Sequence, residues 1–362
     1  MAELLKDRLN YESLQEFALT VQSVYKVFQV DAFLMSTMDD TWNDLELIAK
    51  GRQISLNLGK YLPADYGAAI GVIDEVITKY DGFVKHCFPD FVEVFGQDES
   101  NWDISIAALE RYTPYASAEF AVRPFIINHE ERMMAQMYAW SKHENEHVRR
   151  LASEGCRPQL PWGRALARFK EDPGPVLPIL EQLKDDPSLT VRRSAANNLN
   201  DISKTHPELV AKLAKEWYGK NELTDWTVKH GCRTLLKKGH GEVLAIFGYQ
   251  DDAVLEVDDF ALERPAVTLG EDLVFSFSIM AKEAAKVRLE YGIDYVKANG
   301  KRNRKVFKIS EVSLKENKKK NYAKSHSLAD VTTRKHYPGT HSIALIVNGV
   351  ERGKLDFELT EK

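Results

Sequence analysis

The chain has 362 residues, of which 28% are charged and 44% hydrophobic, and this length predicts two or three domains rather than one. No apolar stretch approaches the roughly 20 residues that a membrane helix needs, and the start MAELLKDRLN lacks the apolar core of a signal peptide. We therefore expect a cytoplasmic protein that neither spans nor binds a membrane. Its three cysteines, Cys87, Cys156 and Cys232, are far apart, which is typical of reduced thiols rather than a disulfide framework.

The formal net charge of -5 is distributed unevenly. Residues 1–141 hold 11 Lys and Arg against 22 Asp and Glu, whereas residues 142–240 hold 18 against 13. The stretch 297–335 holds 13 against 3. This asymmetry is expected of a chain that contacts phosphate with only part of its surface, although lysines that merely solvate loops would give the same count.

The first 250 residues have helical periodicity throughout. Apolar residues recur at intervals of three and four in segments such as 14–28, 64–80 and 173–186, with Pro or Gly between the segments. We therefore predict an all-helical domain over residues 1–250.

An internal repeat defines the type of helical fold. Val148-Arg149-Arg150 recurs 43 residues later as Val191-Arg192-Arg193, and Val228-Lys229-His230 is a weaker copy another 37 residues on. A period near 40 with one helix pair per unit indicates a HEAT-like solenoid, in which one set of helices lines a concave surface.

The periodicity changes to alternation in the last part of the chain. Asn348-Gly349 between two alternating runs predicts a type I′ hairpin. About seven short strands in roughly 110 residues indicate an immunoglobulin-like β-sandwich over residues 253–362. The clearest runs are 273–280, 286–296, 304–314, 341–349 and 353–360.

His143-Glu144-Asn145-Glu146-His147 has the H-E-x-x-H pattern that, on a helix, presents two imidazoles to zinc. The run is polar, and it directly precedes the Val148 repeat helix. We favour a solvated turn at the start of that helix over a zinc protease, and we expect no metal site.

Carboxylates on the solenoid are the candidate catalytic groups, since the chain has no glycine-rich phosphate loop, nucleophile elbow or Cys-x-x-Cys pair. Glu154 follows Val148 by six residues and Asp201 follows Val191 by ten, so superposed repeats would direct both acids to the same side of adjacent helices. Glu119 precedes Glu154 by 35 residues, close to one more repeat. The alternative for each acid is a structural salt bridge with a neighbouring arginine.

A helix interruption follows Glu154. Pro158 and Pro161 remove helix hydrogen bonds, and such a break is costly in a plain solenoid helix. It could direct Trp162 into the concave groove, or Trp162 could be a core residue beneath a loop.

Two runs carry a family resemblance: WSKHENEHVRRLASEGCRPQLPWG at 140–163 and VRRSAANNLND at 191–201. Together with the helical repeats and the C-terminal sandwich, they resemble the AlkC branch of the AlkC/AlkD DNA alkylation repair glycosylases over essentially the whole chain. The resemblance implies excision of N3-alkylated bases, 3-methyladenine and 3-methylcytosine, from duplex DNA that is bent along the concave surface. It also implies that Glu119, Glu154 and Asp201 lie near the lesion with Trp162 beside them.

The chemistry implied is that of a monofunctional glycosylase. An N3-alkylated base is cationic and leaves readily, so carboxylates that stabilise an oxocarbenium-like sugar and orient water suffice. We expect no metal or organic cofactor, double-stranded DNA as the partner, and a monomer. The alternative is a non-enzymatic HEAT scaffold that binds nucleic acid or protein.

Basic residues on both predicted domains are the candidate DNA contacts. On the solenoid they are Arg149, Arg150, Arg157, Arg192, Arg193, Lys229 and Arg233, and in the sandwich they are Lys301, Arg302, Arg304, Lys305, Lys315, Lys318, Lys319, Lys320 and Lys324.

Overall fold

The computed structural model describes residues 4–249, 255–331 and 334–361. These residues are helical as far as Ile246 and form strands from Leu255 onward, so the predicted order of a helical body and a β-sandwich is confirmed. No helix in the described ranges is long and apolar enough to cross a membrane. The α-helices are α1 (Tyr11–Val24), α2 (Val30–Thr37), α3 (Leu47–Tyr61), α4 (Tyr66–Lys79), α5 (Cys87–Phe95), α6 (Trp102–Tyr112), α7 (Val122–Asn128), α8 (Glu130–Trp140), α9 (Glu146–Gly155), α10 (Ala167–Glu171), α11 (Leu177–Leu183), α12 (Leu189–Ile202), α13 (Pro207–Trp217), α14 (Glu222–Gly231), α15 (Arg233–Lys237) and α16 (Gly241–Ile246).

The chain divides into two compact units. The first comprises Met1–Thr205 and Asn221–Gly231, and the second comprises His206–Lys220 and Cys232–Lys362. Helices α13, α15 and α16 therefore belong to the same unit as the strands. The predicted boundary between residues 250 and 253 lies outside the described residues.

The predicted repeat appears as three helices that pack side by side. Val148, Val191 and Val228 lie on α9, α12 and α14, and all three side chains are fully buried. Helix α12 packs against both α9 and α14. The recurring valine therefore marks the equivalent core position of successive helices, which confirms the solenoid.

The arginine after each of the first two repeat valines ties its helix to the preceding turn. Arg149 donates to the carbonyl oxygens six and five residues before it, at 2.9 and 2.7 Å. Arg192 makes the same pair of bonds, at 2.5 and 3.0 Å. The carboxylate of Asp186 accepts two further bonds from Arg149, at 2.6 and 3.1 Å, and one from the backbone N–H of Ser188 at the start of α12. Arg149 therefore joins adjacent repeats through Asp186, as expected for a structural arginine that pairs with an acid between helices, while Arg192 fixes the turn before its own helix.

Local sequence explains where the predicted helices begin and end. The segment predicted at 14–28 begins earlier, at Tyr11, because Asn10 and Ser13 form a capping box. The segment predicted at 173–186 contains a 3₁₀ turn over Gly174–Val176 followed by α11, because the prolines near its start remove helical hydrogen bonds.

The strands form two sheets around one apolar core. One sheet has the order β1-β3-β6, and the other has the order β2-β8-β7-β4-β5. Alternate residues such as Phe275 and Ile279 on β3 and Leu289 and Ile293 on β4 fill the core. The strands are β1 (Leu255–Leu262), β2 (Ala266–Thr268), β3 (Asp272–Ala281), β4 (Ala285–Val296), β5 (Arg302–Leu314), β6 (Lys320–Ser327), β7 (Gly339–Val347) and β8 (Val350–Thr360).

The predicted hairpin lies between β7 and β8. Asn348 and Gly349 have φ angles of 47° and 79°, as a type I′ turn requires, and Val347 pairs directly with Val350. A Cβ atom on Gly349 would approach the Cα atom of Gly239 to 2.7 Å, so both the turn and the packing require glycine here.

The link between repeats predicts a large loss of stability in Asp186→Ala. This substitution leaves the mostly buried guanidinium of Arg149 without its carboxylate, and we expect it to lower the free energy of unfolding by about 3 kcal/mol. Urea unfolding followed by helical circular dichroism measures this change. The neighbouring Asp185 is exposed, so Asp185→Ala serves as the matched control and is expected to change stability by less than about 0.5 kcal/mol. Equal effects of the two substitutions would contradict the role assigned to Asp186.

Candidate active site

The H-E-x-x-H run forms the turn that starts α9. Asn145 is the N-cap residue, and its side chain accepts a hydrogen bond from the backbone N–H of His147 at 2.8 Å. His143 lies before the helix, where its Nδ1 accepts from the N–H of Asn145 at 2.9 Å. The two imidazoles therefore do not share a helical face, and the interpretation as a turn is confirmed.

A cleft of about 610 Å³ opens within the first compact unit. Its walls come from α3, α5, the turn before α7, the end of α9 and the loop that follows α9. Glu119, Glu154 and Trp162 all line this cleft, and so does Arg157. Asp201 is 2% exposed and contacts Arg157. The four residues nominated from the sequence therefore lie in one region.

Arg157 holds two of the nominated carboxylates. Its Nη1 donates to Glu154 Oε1 at 2.6 Å, and its Nε donates to Asp201 Oδ2 at 2.8 Å. The other oxygen of each acid also has a donor, because Ser194 Oγ lies 2.6 Å from Glu154 Oε2 and Lys204 Nζ lies 2.8 Å from Asp201 Oδ1. One guanidinium thus joins the last turn of α9 to the last turn of α12.

Arg157, Glu154 and Asp201, here called the Arg157 trio, interact in a way that favours the charged form of the arginine. Burial lowers the pKa of the Arg157 guanidinium, but the hydrogen bond to Asp201 and the negative charges of Glu154 and Asp201 outweigh burial, so its pKa lies above the ordinary value. Arg157 was expected to contact phosphate. With its side chain 9% exposed and two carboxylate partners, it instead organises the acids.

Glu119 is held separately from the other two acids. It lies in the turn before α7 rather than on a repeat helix, and its Oε2 accepts from Arg150 Nη2 at 2.7 Å and from Ser117 Oγ at 2.9 Å. Arg150 and Glu154 are one turn apart on α9, so α9 connects Glu119 to the Arg157 trio. Arg150 therefore has a partner within the protein, in addition to any contact with phosphate.

Trp162 is 77% exposed and lies in the loop between α9 and α10. The interpretation as a core tryptophan is therefore wrong, and the ring belongs to the wall of the cleft. Its φ angle of 62° is in the left-handed region, which a bulky side chain rarely adopts. Strain of this kind persists only where surrounding contacts enforce it, and it is concentrated at functional sites.

Arg123 binds the two ends of this loop, and sequence patterns did not predict it. Its fully buried guanidinium on α7 donates to the carbonyl oxygens of Gly155, Arg157 and Arg164, which bracket the loop that carries Trp162. Burial lowers the pKa of Arg123 to about 10. A lone arginine within the apolar run VRPFII was the available signal.

Comparisons with known proteins identify the family. Residues 95–235 match the family described as DNA alkylation repair enzyme, and residues 256–361 match the C-terminal Ig-like domain of the uncharacterised protein YhaZ. The chain is 46% identical to the uncharacterized protein YhaZ of Bacillus subtilis (strain 168) over 98% of this chain and 99% of that protein. It is 37% identical to the Pseudomonas fluorescens alkylpurine DNA glycosylase AlkC, bound to DNA containing an abasic site analog, with a TM-score of 0.95 over 99% of both chains. The chain belongs to the AlkC branch of the DNA alkylation repair enzymes.

The other basic residues that were predicted to contact DNA differ in their exposure and in their partners within the protein. Arg304 forms a two-bond pair with Asp294 and a further bond to Glu351. Arg302 donates to β7, and Lys319 pairs with Asp259 at the surface. Lys229 and Arg233 are half-buried. The exposed side chains are those of Arg193, Lys301, Arg302, Arg304, Lys305, Lys315, Lys318, Lys319, Lys320 and Lys324.

The left-handed conformation of Trp162 predicts an unusual order of stability among its variants. Trp162→Gly and Trp162→Ala both remove the exposed indole, but only glycine adopts this backbone conformation without strain. We expect the glycine variant to be more stable than the alanine variant by about 1 kcal/mol, the reverse of the order seen in a helix. Urea unfolding of the two variants side by side measures the difference, and an alanine variant as stable as the glycine variant would contradict the strained loop.

Proposed function

We propose that this chain is a monofunctional DNA glycosylase that hydrolyses the N-glycosidic bond of cationic N3-alkylated bases in duplex DNA, with 3-methyladenine and 3-methylcytosine as substrates. The observation that supports this most strongly is the pair of carboxylates on Arg157 at a cleft that also carries an exposed tryptophan. The likeness to an alkylpurine DNA glycosylase bound to DNA with an abasic site analog supports the same class of reaction.

The charge of the substrate explains why this site is sufficient. An N3-alkylated base is positively charged before cleavage and departs as a neutral molecule, so it needs no general acid. The positive charge passes to the deoxyribose as the bond breaks, and fixed carboxylates stabilise the oxocarbenium-like sugar. Carboxylates act similarly in glycoside hydrolysis, where the neutral leaving group also requires an acid. Neutral, undamaged bases are therefore poor substrates.

The three acids have different access to the substrate in this mechanism. Glu154 lines the cleft, and its carboxylate retains acceptor positions for a water molecule beyond those used by Arg157 and Ser194. Asp201 is buried against Arg157 and contributes its charge without lining the cleft, whereas Glu119 lines the cleft in the turn before α7. Because Lys204 also pairs with Asp201, the two acids of the Arg157 trio face two cations, so Glu154 acts through its position at the cleft and not through an excess of negative charge.

Trp162 contributes an aromatic face beside these acids. Its exposed ring could pack against the cationic nucleotide or the deoxyribose, and such a cation–π contact is worth roughly 0.5 to 2 kcal/mol. The reaction requires neither a metal nor an organic cofactor, and a single copy of the chain is sufficient for it.

Release of free base distinguishes this function from that of a non-enzymatic HEAT scaffold. The protein is incubated with methylated genomic DNA, and the soluble fraction is analysed for modified bases by chromatography. Free 3-methyladenine and 3-methylcytosine with an intact DNA backbone are expected. A scaffold would bind the DNA and release no base.

Asp201→Asn tests the electrostatic role of the acid pair. The substitution removes one negative charge while preserving shape, and we expect the single-turnover release of 3-methyladenine to fall by about 100-fold or more. Affinity for duplex DNA is expected to stay within about twofold, because Asp201 is buried behind Arg157. The exposed acid Asp185 provides the control Asp185→Asn, and an undiminished rate in the Asp201 variant would remove that residue from the mechanism.

The exposed cations of the sandwich are proposed to contact the DNA backbone. Neutralising Lys318, Lys319 and Lys320 together to Gln is expected to weaken binding and to reduce the slope of log affinity against log salt by roughly 0.9 per lost phosphate contact. The matched control neutralises three exposed lysines of the acidic region, Lys26, Lys60 and Lys79. An unchanged slope in the first variant, or an equal change in the control, would exclude this surface from DNA binding.

A further inference from the structure

A row of buried hydroxyl groups leads to the inner oxygen of Glu154. Ser194 Oγ on α12 lies 2.6 Å from Glu154 Oε2, and Ser153 Oγ on α9 lies 2.7 Å from Ser194 Oγ. Both serines are buried, and so is Asn198, whose Nδ2 donates to the carbonyl oxygen of Ser153 at 2.9 Å. The row therefore crosses the contact between α9 and α12 behind the wall of the cleft.

The number of protons fixes the direction of these bonds. The carboxylate of Glu154 can only accept, so the single proton of Ser194 is directed to Glu154. Ser194 can then only accept from Ser153, whose hydroxyl lies 2.7 Å from Ser194 Oγ and 3.1 Å from its other acceptor, the carbonyl oxygen of Arg150. A hydroxyl that accepts one hydrogen bond becomes a better donor in the next, so the row strengthens the contact with Glu154.

Packing alone does not account for a serine at this position. Ala195 and Ala196, the next two residues of α12, are fully buried, so small apolar side chains fit this part of the helix. A buried hydroxyl costs free energy unless it is hydrogen-bonded. Ser194 recovers that cost through Glu154, which makes the carboxylate the reason for the hydroxyl.

We propose that Ser194 is a positioning residue for the glycosylase reaction: its hydroxyl fixes the orientation of the Glu154 carboxylate. This inference rests on the proposed function. Arg157 holds the outer oxygen from the loop, and Ser194 holds the inner oxygen from α12, so the carboxylate cannot rotate between the two. The free acceptor positions of Glu154 then point in a constant direction toward the substrate.

Ser194→Ala tests the proposal with the full chain and a duplex that contains one 3-methyladenine. Single-turnover release is expected to slow by roughly tenfold, because a hydrogen bond to a charged group is lost, while the Kd for DNA stays within about twofold. Ser194→Cys keeps a weak donor and is expected to recover part of this rate at unchanged DNA affinity, which preserves the test if the alanine variant does not fold.

Ser153→Ala is the matched control, because it removes the same group one hydrogen bond further from Glu154. Its rate is expected to stay within about threefold of wild type, since Ser194 still donates to Glu154. Equal effects of the two alanine substitutions on the rate, or no recovery of rate in Ser194→Cys, would assign both serines to packing and overturn the proposal.

Glu154→Gln separates this inference from the proposed function. If that variant keeps the wild-type rate, Glu154 has no part in the reaction and the proposed function fails at this residue. If Glu154→Gln is slow while Ser194→Ala keeps the wild-type rate, only the role of Ser194 is overturned.

Discussion

The structure around the cleft depends on a single guanidinium, that of Arg157, which pairs with two buried carboxylates. Glu154 and Asp201 end adjacent repeat helices, and neither would be tolerated as a buried charge without a cation between them. Arg157 can reach both because α9 ends at Gly155 and Pro158 prevents the helix from continuing. The same break begins the loop that exposes Trp162, so the ion pairs and the aromatic wall share one structural cause.

The solenoid uses its other repeat arginines for a different purpose. Arg149 and Arg192 hold the turns between helices, and this keeps α9 and α12 in register so that their last turns meet at Arg157. The arginines near the start of each helix bind the preceding turn, while the acids near the end meet at Arg157, where Glu154 lines the cleft. Arg123 also donates hydrogen bonds to the carbonyl oxygens of Gly155 and Arg157, at the start of the loop that carries Trp162.

Features that repeat with helix or strand periodicity could be predicted from the sequence, whereas contacts between residues far apart in the chain could not. The valine repeat, the Asn348-Gly349 turn and the offset between Glu154 and Asp201 each reflect helix or strand geometry, which repeats along the chain. A salt bridge between Glu154 and a neighbouring arginine was one of the alternatives, but the pairing of Arg157 with Asp201, 44 residues further on, could not be derived from sequence spacing. The hydrogen bonds of Arg123 to the residues on either side of the Trp162 loop likewise join residues more than 30 positions apart.

In the proposed mechanism, the Glu154 carboxylate at this cleft stabilises a cationic sugar. The most direct measurement compares the affinity of the protein for two DNA duplexes that differ at one position, where one carries a cationic pyrrolidine abasic-site mimic and the other its neutral tetrahydrofuran counterpart. We expect the cationic duplex to bind at least about tenfold more tightly and Glu154→Gln to remove most of this preference. Equal affinity of the wild-type protein for the two duplexes would contradict this mechanism.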